Sequence, residues 1–284
     1  MSVIASLANR YSIALRGMNM FVQPLNHLLR GHSSAPRAAT SSARFCVEVW
    51  RAIACILALR PDDLAIPLRH LVPTVGTIAT YRLVTDAGPE CIGIALFRNG
   101  GTNDSDDFDH TQCLCYTDFP TTSWDAATQD PRYQNTREFC GAVLGVLLII
   151  EAQSMGCIPV GPVHLHWHGD NTSALSWIDS NRMSSAQTQL IFMAYTWFRL
   201  RTSIDIPWTS HKPGVTMGDI DRLSRQQILH DLQPAQRVEF RNRPALEALF
   251  ALIDPATPHG RTAHDHHAAF VAIYHHVSPL LTTP

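Results

Sequence analysis

Four carboxylates stand in settings that suit hard-cation chemistry. Asp86 closes an alternating stretch, Tyr81-Arg82-Leu83-Val84-Thr85-Asp86, and the turn residues Ala87-Gly88-Pro89 follow it. Glu138 lies near the start of a strongly apolar run, Asn135 to Glu151. Asp170 ends an alternating run that begins at Val163 and precedes Asn171 and Thr172, both able to cap a helix. Asp221 opens the stretch Asp221-Arg222-Leu223-Ser224-Arg225. Carboxylates brought together repel one another unless cations neutralise them. Their natural occupants are Mg²⁺ or Mn²⁺, which prefer oxygen ligands. Two such ions roughly 4 Å apart can activate a water and stabilise the leaving oxygen of a phosphodiester.

The flanking periodicities predict the elements that must position these acids. Tyr81–Asp86 and Cys91–Phe97 read as strands joined by the Gly-Pro turn, which makes them a hairpin, and Thr111–Tyr116 reads as a third strand. Asn135 to Glu151 reads as a buried helix with Thr136 as its cap and Glu138 in its first turn, where the helix dipole favours an acid. Val163–Trp167 is the fourth strand, Asn171–Ile178 and Ser184–Leu200 are helices, and Ile204–Trp208 is the fifth strand. A loop, Thr209 to Gly214, leads to a last helix that starts near Gly218. The order β-β-β-α-β-α-α-β-α implies an α/β fold with a five-stranded mixed sheet flanked by helices. It also puts the first and fourth strands side by side, which brings Asp86 and Asp170 together.

Other features carry less. The cysteines, seven in all, form no C-x-x-C pair and read as buried thiols of a reducing compartment; Cys113 and Cys115 read as neighbours on one strand face rather than as a metal pair. The Asp-rich loop Asn99 to Asp109 lacks the spacing of a calcium loop. His164, His166 and His168 alternate along one strand face, and covering a partly solvated face explains them better than a transition-metal site does. Asp219 rivals Asp221 as the last acid of the set.

From Tyr81 to Arg225 the chain resembles the ribonuclease H domain of retroelement reverse transcriptases, of the gypsy-type LTR or DIRS-like (tyrosine-recombinase) elements. The matching stretches are Thr85-Asp86-Ala87 (family pattern TDAS), Asn135-Thr136-Arg137-Glu138 (N-x-x-E), Asp170-Asn171-Thr172-Ser173-Ala174 (DN-x-x-A) and Asp221-Arg222-Leu223-Ser224-Arg225 (D-x-LSR). They occur in order and cover about half the chain. The resemblance implies a ribonuclease H-like fold and hydrolysis of the RNA strand of an RNA–DNA hybrid, leaving a 3′-hydroxyl and a 5′-phosphate. It implies Asp86, Glu138, Asp170 and Asp221 as ligands of two Mg²⁺ or Mn²⁺ ions. His211 matches a histidine that assists product release or proton transfer, and the D-x-LSR register selects Asp221 over Asp219. Two departures stand out: Gly88 replaces the common Ser, and Met217 stands where relatives carry Asn.

Length and composition bound this reading. In 284 residues, with 45% hydrophobic and 16% charged residues, there is room for one good-sized domain with extensions. A helical lead-in with a Ser/Ala/Pro linker is expected over 1–78, faintly resembling the thumb and connection of a reverse transcriptase; the ribonuclease H-like domain is expected over 79–230, and a His-rich, partly disordered extension over 231–284. The net charge of −2 is not that of a stand-alone nucleic-acid binder, so hybrid contact would be local, metal-assisted or shared with a partner, the polymerase domain of the parent enzyme. No Y-x-D-D polymerase motif is visible. The N-terminus lacks a secretory pattern and the longest apolar run, Ala142 to Ile150, is too short for a bilayer, which implies no membrane and an intracellular, cytoplasmic or nuclear setting. A catalytically silent remnant with the same fold, or a binding module, is the rival from another class; a DNA nuclease or integrase-like enzyme is a third, which the D-x-LSR stretch disfavours.

Overall fold

The computed structural model describes residues 78–99, 110–121, 131–180 and 186–251. Strands β1 (Ala79–Ala87), β2 (Cys91–Arg98) and β3 (Cys113–Pro120) form an antiparallel meander. Helix α1 (Pro131–Ser154) leads to β4 (Val163–Gly169), which pairs parallel with β1. Helices α2 (Thr172–Ser180) and α3 (Ala186–Thr202) precede β5 (Ile204–His211), parallel to β4. Helices α4 (Asp219–Ser224) and α5 (Arg243–Phe250) complete the fold. The sheet order is β3-β2-β1-β4-β5, so this is an α/β protein with a five-stranded mixed sheet flanked by helices, as expected. None of the described helices is long and apolar enough to cross a membrane.

The two sheet faces are covered differently. One carries the main core, where Leu83, Ile94, Leu165 and Trp167 meet buried residues of α1, α2, α3 and α5. On the other, α4 and its lead-in place Met217, Ile220 and Leu223 over Val84, Ala95 and Phe97. Met217, which stands where the resembled family carries Asn, is a fully buried core residue.

Glycines set how closely the helices approach β1. A Cβ at Gly141 would stand 2.8 Å from Thr85 Oγ1, and one at Gly145 would run into the Leu83 side chain. These two glycines, four residues apart, share a helix face, and Glu138 lies three residues before the first. Their fit against β1 lowers Glu138 onto the strand end from which Asp86 projects. Replacing Gly145 by Val should overpack this seam and cost about 1–3 kcal/mol, read as a lower urea midpoint at unchanged slope. An unchanged midpoint would show that α1 can lift off β1 at no cost.

Several boundaries differ from expectation. Helix α1 begins at Pro131, not Asn135, because proline at the first helical position gives up an N–H that has no intrahelical partner anyway. Thr136 is then inside the helix, bonded to Thr188 at 2.9 Å rather than capping, and Glu138 lies beyond the first turn, so burial rather than the helix dipole governs its charge. Strand β3 runs later than Thr111–Tyr116, after a 3₁₀ turn over His110–Gln112. Strand β5 runs on to His211, which ends a strand instead of sitting mid-loop.

The packing also continues past residue 230, into the extension expected to be partly disordered over 231–284. Val238 N–H donates to the Tyr116 carbonyl at 2.9 Å, and Phe250 packs on Phe119 with ring centroids 5.2 Å apart. Leu246, Leu249 and Phe250 belong to the main core. The lead-in up to residue 77, the Asp-rich loop over 100–109 and the His-rich end from residue 252 lie outside the described residues.

Candidate active site

The parallel pairing of β1 with β4 sets Val84 opposite His168, so both strands point the same way and end side by side. Asp86 sits at the end of β1 and Asp170 just beyond β4. Glu138 reaches the same point from α1. One carboxylate oxygen from each of Asp86, Glu138 and Asp170 falls within 4.8 Å of the others. They line an open cleft of about 320 Å³ that Gln134, Asn171 and Arg225 share.

Neighbours orient each carboxylate. Glu138 Oε1 accepts hydrogen bonds from the Ala87 backbone N–H at 3.3 Å and from Gln134 Nε2 at 2.8 Å. Gln134 also donates to the Ala87 carbonyl at 2.6 Å, which ties α1 to the end of β1. Ser224 Oγ, at the end of α4, donates a hydrogen bond to Asp86 Oδ2. Asn171 caps α2, its Oδ1 accepting from Ala174 N–H at 3.0 Å, while its amide donates to Asn135 Oδ1 at 2.7 Å. The Asn of the N-x-x-E stretch and the Asn of the DN-x-x-A stretch thus tie the start of α2 to the second turn of α1 beside the cleft.

Burial and mutual repulsion raise the acids. Asp86 is pushed up to about 6 by burial, against the Ser224 hydrogen bond, with Asp170 and Asp221 adding to the rise. Glu138 is raised well above the usual carboxylate range by burial first and then by Asp86 and Asp170. Asp170, partly exposed, is raised by burial and by Asp221, with His211 pulling the other way. The site therefore concentrates negative charge that its own surroundings do not fully compensate. Its donors are all carboxylate oxygens, the set that suits a hard divalent cation.

Asp221 lies close enough to act on Asp86 and Asp170 but does not join their cluster. Its Oδ1 accepts from Arg225 Nε at 2.9 Å and Nη2 at 2.8 Å. Asp219 has a different task. Its Oδ1 accepts from His230 N–H at 3.0 Å and Arg222 Nη1 at 2.9 Å; its Oδ2 accepts from the backbone N–H groups of Asp231 at 2.6 Å and Leu232 at 2.8 Å. Burial alone would raise Asp219, but these amides and Arg222 outweigh it and hold the carboxyl at about 2. His110 and Asp231 approach Asp219 closely enough for three ligand atoms to meet. With its oxygens already accepting from backbone and guanidinium, Asp219 is a structural anchor.

His211 ends β5 at the cleft side and is exposed. The three β4 histidines stay out of the acidic cluster: His166 Nε2 is 2.6 Å from Ser210 Oγ, His164 stands edge-on to Trp208, and the His166 and His168 rings lie 4.2 Å apart. Burial, then the neighbouring His166, Lys212 and Arg82, push His168 down to about 3, so its ring stays neutral.

Gly88, the other departure from the family pattern, now has a reason. A Cβ there would run into the Ser224 carbonyl oxygen, so glycine lets the end of α4 close over the β1–β2 turn and deliver Ser224 to Asp86. Gly88→Ser should cost about 1–3 kcal/mol and loosen the Ser224 bond, measured by urea unfolding and by faster amide exchange at the end of α4. Equal stability of the two proteins would mean the turn accommodates the hydroxymethyl group without moving α4.

No family model, no curated protein and no solved structure matches the chain. Ser224 and Arg225 stand in the sequence only as parts of the D-x-LSR stretch, and Gln134 belongs to none of the four stretches. The signal for Gln134 was there, since it stands four residues before Glu138 on the same helix face.

Proposed function

We propose that the chain is a retroelement-derived ribonuclease H that hydrolyses the RNA strand of RNA–DNA hybrids with the help of two divalent cations. The observation that carries this reading is the convergence of Asp86, Glu138 and Asp170, from three separate elements, to within 4.8 Å at the end of two parallel strands. The mixed sheet and its flanking helices agree with the ribonuclease H-like fold that the sequence resemblance implies.

Asp86, Glu138 and Asp170 would hold the cations, and Asp221 would join them. Bound Mg²⁺ or Mn²⁺ would supply the Lewis acidity that makes a water nucleophilic and neutralises charge on the leaving 3′-oxygen. The chain's own residues do the positioning. Ser224 and Gln134 fix the directions of the Asp86 and Glu138 carboxylates. Asn135 and Asn171 tie the start of α2 to α1 beside the cleft. His211, exposed beside Asp170, is the group to carry a proton at an imidazole nitrogen during attack or product release. Choice of the RNA strand would rest on its 2′-hydroxyls and on hybrid shape, because no base edge needs to be read.

The test incubates the full chain with a labelled RNA–DNA hybrid in Mg²⁺, in Mn²⁺ and in EDTA, beside duplex DNA and duplex RNA. The expected result is metal-dependent cleavage of the RNA strand of the hybrid alone, leaving 5′-phosphate ends. A folded chain that cuts no substrate, even with a reverse transcriptase core added in trans, would overturn the reading in favour of a silent remnant.

A further inference from the structure

Asp221 stands apart from the other three acids, and Arg225 binds it. Two N–H groups of the guanidinium converge on one Asp221 oxygen, at 2.9 and 2.8 Å. Arg225 also lines the cleft together with Asp86, Glu138 and Asp170, and is the one cationic residue among the described residues that line it. Its side chain is 55% exposed, so the carboxylate rather than packing fixes its position.

We propose that Arg225 is the resident counter-ion of this cluster: it holds Asp221 until a second divalent cation takes that carboxylate, and it thereby sets the affinity of the second cation site. The inference rests on the reading of the cluster as a two-cation hydrolytic centre. Three acids already share one point, and that point can take a first cation with Arg225 in place. A second cation needs Asp221, and so needs the guanidinium to leave. The exchange is feasible because an ion pair this exposed is weak, while a divalent ion brings twice the charge to the same oxygens. The Coulomb field agrees: Asp221 first, then Asp86 and Asp170, raise the Arg225 pKa, so the guanidinium neutralises the cluster as a whole and not Asp221 alone. Were the pair only an i,i+4 brace on α4, its loss would leave cation binding unchanged.

The test is a Mn²⁺ titration of the full chain followed by electron paramagnetic resonance of the free ion, with no nucleic acid present. The wild-type chain is compared with Arg225→Gln and Asp221→Asn. Arg225→Gln is expected to leave the first class of site within about 1.5-fold and to tighten the second about three- to fivefold, the upper part of the range expected when an exposed ion pair is removed. A wild type that binds one ion and an Arg225→Gln variant that binds two would support the proposal equally. Asp221→Asn should abolish the second class and spare the first. A second class that is unchanged or weaker in Arg225→Gln overturns the counter-ion role and leaves the nuclease reading standing. Absence of any Mn²⁺ binding in all three proteins overturns both.

Discussion

Replacing Asp86 by Asn should lower hybrid cleavage roughly a thousandfold or more while making the metal-free protein more stable. The two effects share one cause. Asp86 is buried beside Glu138 and Asp170, and its carboxyl is raised to about 6, mainly by burial. A carboxyl whose folded pKa lies above its unfolded value stabilises the fold below the unfolded value, near pH 4, and loses that contribution as pH rises through about 6. In EDTA, the wild type should therefore lose on the order of 2–3 kcal/mol relative to Asp86→Asn between pH 4 and pH 7. At pH 7.5 the variant should melt roughly 5 °C higher without metal, and the addition of Mg²⁺ should reverse the ranking by stabilising only the wild type. The measurements are thermal melts of both proteins across pH with EDTA or Mg²⁺, beside the cleavage assay. An Asn variant that melts lower than wild type in EDTA at pH 7.5 would falsify the argument that burial of the Asp86 charge costs stability, whatever its activity.

The second large effect belongs to a residue that should touch neither cation nor substrate. Asp219→Ala should cost about 2–4 kcal/mol, because it removes at once the acceptor of one buried and two partly buried backbone N–H groups and of the Arg222 guanidinium. Asp219→Asn keeps one acceptor oxygen and should cost about half as much. Asp219 has its folded pKa depressed to about 2, so its contribution is present above the unfolded value near 4 and disappears as pH falls to about 2. The stability difference between wild type and Asp219→Asn should accordingly be full at pH 5 and shrink between pH 4 and pH 2. Amide exchange at His230, Asp231 and Leu232 should speed up in the variants. A loss below about 0.5 kcal/mol would show that water replaces the carboxylate without cost. The functional consequence is indirect: α4 carries Asp221 and Ser224 and is followed by Arg225, and loosening its anchor should blur the placement of all three.

The sequence alone determined the elements and the acids at their ends. Alternating and helical periods are local properties, and the β1–β2 turn, the run of apolar residues in α1 and the cap before α2 all follow from neighbours within a few positions. Even the side-by-side placement of β1 and β4 followed from the order of elements, because three meandering strands leave the first one open to a crossover partner. The tertiary structure decided which of the acids meet. Glu138 reaches Asp86 because Gly141 and Gly145 let α1 lie close on β1, a contact between residues more than fifty positions apart. Asp219 and Asp221, two residues apart and alike on paper, part company because the chain at 230–232 turns its amides onto one of them and Arg225 takes the other. Met217 and Gly88, departures from a family pattern when read along the chain, are a core side chain and a point of closest approach in three dimensions. The apolar residues of the segment from 238 to 250 find their partners on β3 and in the main core, a pairing that no local window contains. Local sequence sets what each stretch can become; the close approach of distant backbones sets what each side chain is then asked to do.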